Sequence, residues 1–192
     1  MRTVMRDLLA LTTLTLLGTL ALTGCASESA PRASESTAPT DAPVFASDAE
    51  ALAAATEAYA AYLAMSDQIL AEGGEKPERI RAFATEALAE IEIDGYDNVR
   101  SKQLRSVGES DFSGMIVQDR KSSSDIRRGI VTTYLCSDVS GVDVVDANGD
   151  SVVSVTRPNF TPFIVSFDLV SLAPVKLLVA SADVWDGSGV CR

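Results

Sequence analysis

Histidine is absent from all 192 residues, cysteine occurs three times, and aromatic residues make up only 6% of the chain. Each shortage excludes something. Without histidine, the side chain best suited to moving protons near neutral pH is missing. Basic residues are scarce as well: 16 Lys and Arg stand against 27 Asp and Glu, a net charge of −11. Nucleic-acid binding needs a basic footprint, so no nucleic-acid partner is expected. Acidity of this kind serves solubility and is compatible with cation binding without implying it. The apolar run at residues 8–22 falls short of the ~20 residues a spanning helix needs, and it contains Thr12, Thr13, Thr15 and Thr19.

What is present at the N-terminus reads as a signal segment. Arg2 and Arg6 make a charged head, Asp7 interrupts it, and the apolar run follows at once. The run closes on Leu22-Thr23-Gly24-Cys25. Small residues before a Cys at that place resemble the lipobox of bacterial lipoproteins. The resemblance implies cleavage before Cys25, a diacylglyceryl group on its thiol, and retention on the extracytoplasmic face of the cell membrane. Two acyl chains hold a protein on a bilayer where one does so only marginally. The alternatives are an ordinary N-terminal membrane segment or a secretory signal cut elsewhere. Residues 1–24 are therefore read as signal peptide and residues 25–44 as lipidated Cys25 with a tether. Residues 26–43 are dominated by Ala, Ser, Thr and Pro and hold no large apolar side chain. They cannot bury enough surface to order themselves, and as a coil would span roughly 25 Å.

Residues 45–192 have the length of one domain, able to bury roughly two thirds of its unfolded surface without a cofactor. Removing Arg2, Arg6 and Asp7 with the signal leaves 14 basic and 26 acidic residues, a net charge of −12. Lipidation would leave two thiols, Cys136 and Cys191, which pair evenly in an oxidising compartment. Their bridge would close a long loop worth on the order of 4 kcal/mol in the chain-entropy model. The rival readings are a metal pair or a reactive thiol. With two Cys and no His, a structural zinc site lacks ligands, and no metal or cofactor is expected.

Helices come first. Ser47 and Glu50 have capping-box spacing, and Leu52, Ala55, Tyr59, Tyr62, Ser66 and Ile69 recur at steps of three and four. Gly73-Gly74 predicts the stop of this helix near Leu70. Pro77 predicts the first turn of a second helix with Ile80, Phe83, Ala87, Leu88 and Ile91 on its apolar side, broken at Gly95. A third helix is predicted from Asp97 to Gly108. From Asp111 the pattern turns to strands: residues 112–119, 130–139, 142–145 and 152–155, with a hairpin at Asn148-Gly149. Phe163, Val165, Phe167 and Leu169 alternate along the next strand, and Pro174 separates it from a last one at 175–185. Helices followed by strands argue for an α+β fold with an antiparallel sheet.

Three stretches carry a family resemblance: Tyr134-Leu-Cys-Ser-Asp-Val-Ser140, Val144-Val-Asp-Ala-Asn-Gly149 and Trp185-Asp-Gly-Ser-Gly-Val-Cys191. With the order of elements, they resemble the actinobacterial lipoproteins of the nuclear transport factor 2-like type. The resemblance covers roughly residues 45–192. It implies N-terminal helices packed on a curved antiparallel sheet, a cone, and the pairing of Cys136 with Cys191. The fold hosts both enzymes and binding modules, so it does not by itself name a function.

Few residues invite a chemical reading. Asp146-x-Asn148-x-Asp150 opens like a calcium loop, but Ser151 and Arg157 occupy the Gly and Glu positions, which favours the hairpin. Enzymes on the cone commonly use an Asp with a His or Tyr. Asp138, Asp168 and Asp183 with Tyr134 are the available groups, and solvent-facing alternation or a hydrogen-bonded strand end is the favoured account of them. Tyr59, Tyr62, Phe83, Tyr134 and Trp185 are the candidate lining of a cone pocket, with Trp185 also placed to cover the disulfide. The expectation is a non-catalytic interaction or scaffold domain with an envelope protein as partner. The alternatives are small-molecule binding in the cone and, less favoured, a cone-fold enzyme. The lipobox reading predicts that Cys25→Ser leaves uncut precursor or shed protein, as fractionation and intact mass would register. A variant that stays membrane-bound at the mature size overturns it.

Overall fold

The computed structural model describes residues 43–122 and 127–191. Cys25, residues 8–22 and all but the end of the tether lie outside the described residues. No helix among the described residues is long and apolar enough to cross a membrane.

Helix α1, Asp48–Ala71, begins as its sequence predicts. Ser47 Oγ accepts the Glu50 amide at 3.2 Å, while the Glu50 carboxylate accepts the Ala46 amide at 2.7 Å. Most of the predicted stripe turns inward: Ala55, Tyr59, Tyr62 and Ile69 are buried, Leu52 and Ser66 are half-buried, and Ala51 takes the buried place beside Leu52. Gly73, at φ +73, ends the helix, with Gly73 and Gly74 donating to the carbonyls of Leu70 and Ile69.

The two helices predicted after it are redrawn. Residues Pro77–Ala82 make a short 3-10 turn, and α2 runs through Glu86–Ser101. Gly95 lies inside α2 on its exposed side, with nothing near the place of a Cβ. Its cost of ~1 kcal/mol relative to Ala is small beside the burial of Leu88, Ala89 and Tyr96. Of the positions assigned to the apolar side, Leu88 is buried with Ala89 beside it, whereas Ala87 is exposed and Ile91 is 68% exposed. The third helix does not form. Gln103, at φ 55, closes α2, and residues Arg105–Val107 become strand β1. A C-terminal stop on Gln rather than Gly leaves no mark in the sequence.

The sheet is antiparallel, in the order β2-β3-β5-β6, formed by Asp111–Arg120, Val131–Asp138, Phe160–Leu172 and Val175–Val184. The fold is α+β. Strand β4, Asp143–Val145, pairs with β1 in a separate two-stranded ribbon. The partner strand predicted at 152–155 is absent. Only a single bridge, Val145 to Ser151, follows the Asn148-Gly149 turn. Ser154 and Thr156 turn the chain instead, and Arg157 Nη2 donates to the carbonyls of Val139 and Val142. Register shifts in the β2–β3 and β5–β6 pairings mark bulges, which bend and twist a sheet.

Val131, Thr133 and Leu135 of β3 and Val165, Phe167 and Leu169 of β5 turn to α1 and are buried. The β6 edge is capped at its middle, where Thr85 donates to Val179 and Val179 donates to Phe83. On the opposite face, Cys136 bonds to Cys191 across 55 residues, tying the C-terminal tail to β3. Loop closure of that length predicts that Cys136→Ala lowers stability by about 2–5 kcal/mol in urea denaturation. Intact mass should sit two hydrogens below the reduced value, and free thiols in freshly isolated native protein would contradict the bridge.

Candidate functional site

The space between α1 and the sheet is filled by side chains. Tyr59 meets Phe112 edge-on at 4.9 Å between ring centres and lies 5.9 Å from Tyr62. Tyr62 Oη donates to Glu92 at 2.6 Å, and Tyr96 Oη donates to Ser66 at 3.0 Å, so two phenols of the core tie α1 to α2. Burial first, and then the charges of Glu92 and Asp67, push Tyr59 up to about 12. Burial is also the main reason that Tyr62 and Tyr96 are raised, with Glu92 adding to both.

Open grooves flank α1 on its two sides. One, of about 440 Å³, lies between the second half of the helix and residues 108–112. Its floor is Ala60, Leu63, Ala64, Ala71 and Phe112, and its acidic residues are Asp67, Glu109 and Asp111. The other, of about 330 Å³, lies between the first half of α1 and the start of β6. Ala54, Ala58, Ala61, Phe83 and Leu177 line it, with Glu57 and Lys176.

The outer face of the sheet bears Tyr134, which stacks on Trp185 at 4.1 Å and 22° between planes. Gly187 packs so closely on the indole that a Cβ there would come within 2.0 Å of the ring. On the same face Ile116, opposite Tyr134, is 51% exposed, and Phe160, opposite Asp138, is 54% exposed.

The five aromatic candidates therefore do not share one pocket. Tyr59 and Tyr62 belong to the core, Phe83 borders the second groove, and Tyr134 and Trp185 form a pair on the far side of the sheet. The three candidate carboxylates are separated too. Asp138 accepts the Ser140 amide at 2.8 Å, and the hydrogen bonds of Ser140 hold its carboxyl below the usual range. Asp168 accepts the Gly129 amide at 2.7 Å, and Asp183 is exposed opposite Ile164. Among the described residues no three carboxylates or sulfurs group closely enough to hold a metal ion. Asp146 Oδ1 accepts the amides of Asn148 and Asp150, the bonding of a turn.

Sequence reasoning passed over Asp67, Ser110, Glu92 and Tyr96. Asp67 Oδ2 and Oδ1 accept from the Ser110 amide and hydroxyl, each at 2.8 Å, across 43 residues. A pairing that distant has no local signature. Tyr96 was hidden by the break expected at Gly95.

No family model matches the chain, and no curated protein does. Among solved structures, the intermembrane space region of chloroplast protein ARC6 is similar in fold, with a TM-score of 0.50 and 9% identity. The match covers 69% of this chain and 95% of that one. At that identity the likeness concerns the fold alone.

The buried phenols set a pH dependence. A tyrosine whose folded pKa is raised contributes stability that is complete below its unfolded pKa near 10 and is lost as pH rises through the folded value. Stability should therefore fall from about pH 10 to about 12. In a phenolate absorbance titration, Tyr59, Tyr62 and Tyr96 should stay protonated at pH ~10.5 and ionise together with loss of fold. Reversible ionisation of these three tyrosines at pH ~10 in folded protein would contradict their burial.

Proposed function

We propose that this chain is a lipid-anchored lipoprotein whose domain, a cone of the nuclear transport factor 2-like type, is a non-catalytic interaction module at the cell envelope. The observation that carries the reading is where apolar surface remains free. The space between helix and sheet is occupied by core tyrosines, whereas open grooves and the half-exposed Ile116 and Phe160 lie on the outside. Surface of that kind suits docking rather than enclosure of a substrate.

Other features support the setting. Leu22-Thr23-Gly24-Cys25 supplies the anchor, and the Cys136–Cys191 bridge suits an oxidising compartment outside the cytoplasm. The bulges in β2–β3 and β5–β6 accord with a curved sheet. A second reading, small-molecule binding, is favoured by the groove at Phe83, where an apolar floor meets the opposite charges of Glu57 and Lys176.

If the role belongs to a surface and its reach, single substitutions Asp138→Asn, Asp168→Asn and Asp183→Asn should leave the cellular phenotype near wild type. Asn keeps the oxygen that accepts the Ser140 and Gly129 amides at the first two positions. Deleting residues 26–40 while keeping Cys25 should impair the phenotype more, because the domain loses its reach. Circular dichroism and surface abundance separate lost folding from lost function. One Asp→Asn change that abolishes activity in stable, abundant protein, with the shortened tether tolerated, would instead establish an enzyme.

A further inference from the structure

The geometry points to the groove between the second half of α1 and residues 108–112 as a docking site for a short cationic segment of a partner protein, bearing an apolar anchor side chain. The inference rests on the interaction reading above and specifies its chemistry. Shape is the first argument. Ala60, Ala64 and Ala71 leave room along the helix, while Leu63 and Phe112 give the floor apolar depth. The volume, about 440 Å³, lies in the range of sites that enclose ligand-sized groups.

Charge is the second argument. Asp67, Glu109 and Asp111 line this groove, and no Lys or Arg does. The groove on the other side of α1 mixes Glu57 with Lys176. The basin at the C-terminal end of α1 mixes Arg100 and Arg105 with Glu72, Glu75 and Asp146. Of these three, only the groove at residues 108–112 presents a single sign over an apolar floor. Complementary charge there selects a cationic partner and speeds encounter with it.

The wall of the groove is already in place. The paired bonds from Ser110 to Asp67 fasten the turn to α1. Gly108, at φ +92, lies so close to Gly141 that a Cβ would sit 1.9 Å from its carbonyl oxygen. A wall fixed at two points spares the partner an ordering cost. Both oxygens of Asp67 are engaged by Ser110, which makes it a positioning residue. Glu109 and Asp111, both exposed, supply the charge that a partner meets.

The test titrates full-length lipidated protein in neutral-detergent micelles with a fluorescein-labelled heptapeptide of alternating Lys and Leu, empty micelles serving as blank. Companion peptides carry Ser for Leu or Glu for Lys. Saturable binding of the Lys/Leu peptide is expected, weakened at least ~10-fold by E109Q/D111N and by A64W, which fills the groove. Added salt should weaken it too, and both companion peptides should bind more weakly. A64W is checked by circular dichroism; E109Q/D111N changes only exposed side chains and keeps the test decisive if A64W misfolds. Unchanged binding to E109Q/D111N, or equal binding of the Ser peptide, overturns the proposal. A photo-crosslinker at Gln68 in the groove, and another at Ile116 on the outer sheet face, separate this failure from a wider one in intact cells. Capture of one identified protein from Ile116 and not from Gln68 overturns the groove and leaves the interaction reading standing. Capture from neither overturns both.

Discussion

The seating of α1 on the inner face of the sheet is the contact on which the rest of this structure depends. Tyr59, Tyr62 and Ile69 reach from the helix toward the layer built by Leu135, Val165, Phe167 and Leu169. Each large side chain buried there is worth roughly 1.5–3 kcal/mol relative to exposure. The small residues alternating with them, Ala51 and Ala55, let the backbone of α1 approach the strands. The same choice of side chains fills the interior, and it leaves a groove on either side of the helix where the remaining alanines face outward.

Two long-range ties then hold the periphery to that centre. The bonds from Ser110 to Asp67 fix the turn between β1 and β2, and the Tyr62–Glu92 and Tyr96–Ser66 bonds fix α2. On the other side of the sheet the Cys136–Cys191 bridge secures the tail, and Trp185 stacks on Tyr134 beneath it in sequence. Chain ends fray unless tied down, and the bridge ties Cys191 to β3.

The chemistry of the surface follows from this layout. Carboxylates that looked interchangeable in the sequence have different duties: Asp138 and Asp168 bond backbone amides, Asp67 clamps a turn, and Glu109 and Asp111 remain exposed beside an apolar floor. The phenols of Tyr59, Tyr62 and Tyr96 are raised by burial within the core.

Much of the fold was legible because its signals are local. The Ser47 cap, the period of α1, the Gly73 stop, the strand propensity of β3 and the alternation in β5 each follow from steric and hydrogen-bonding rules acting within a few residues. The even pair of cysteines announced the bridge, and the absence of histidine narrowed the chemistry. Only tertiary structure decided the rest. Gly95 stays helical because Tyr96 is buried, and residues 105–107 become a strand because β4 offers a partner that local propensity cannot see. The grooves arise likewise from separate elements, residues 60–71 with 108–112 in one and 54–61 with 82–83 and 175–177 in the other, and no local pattern encodes such a meeting.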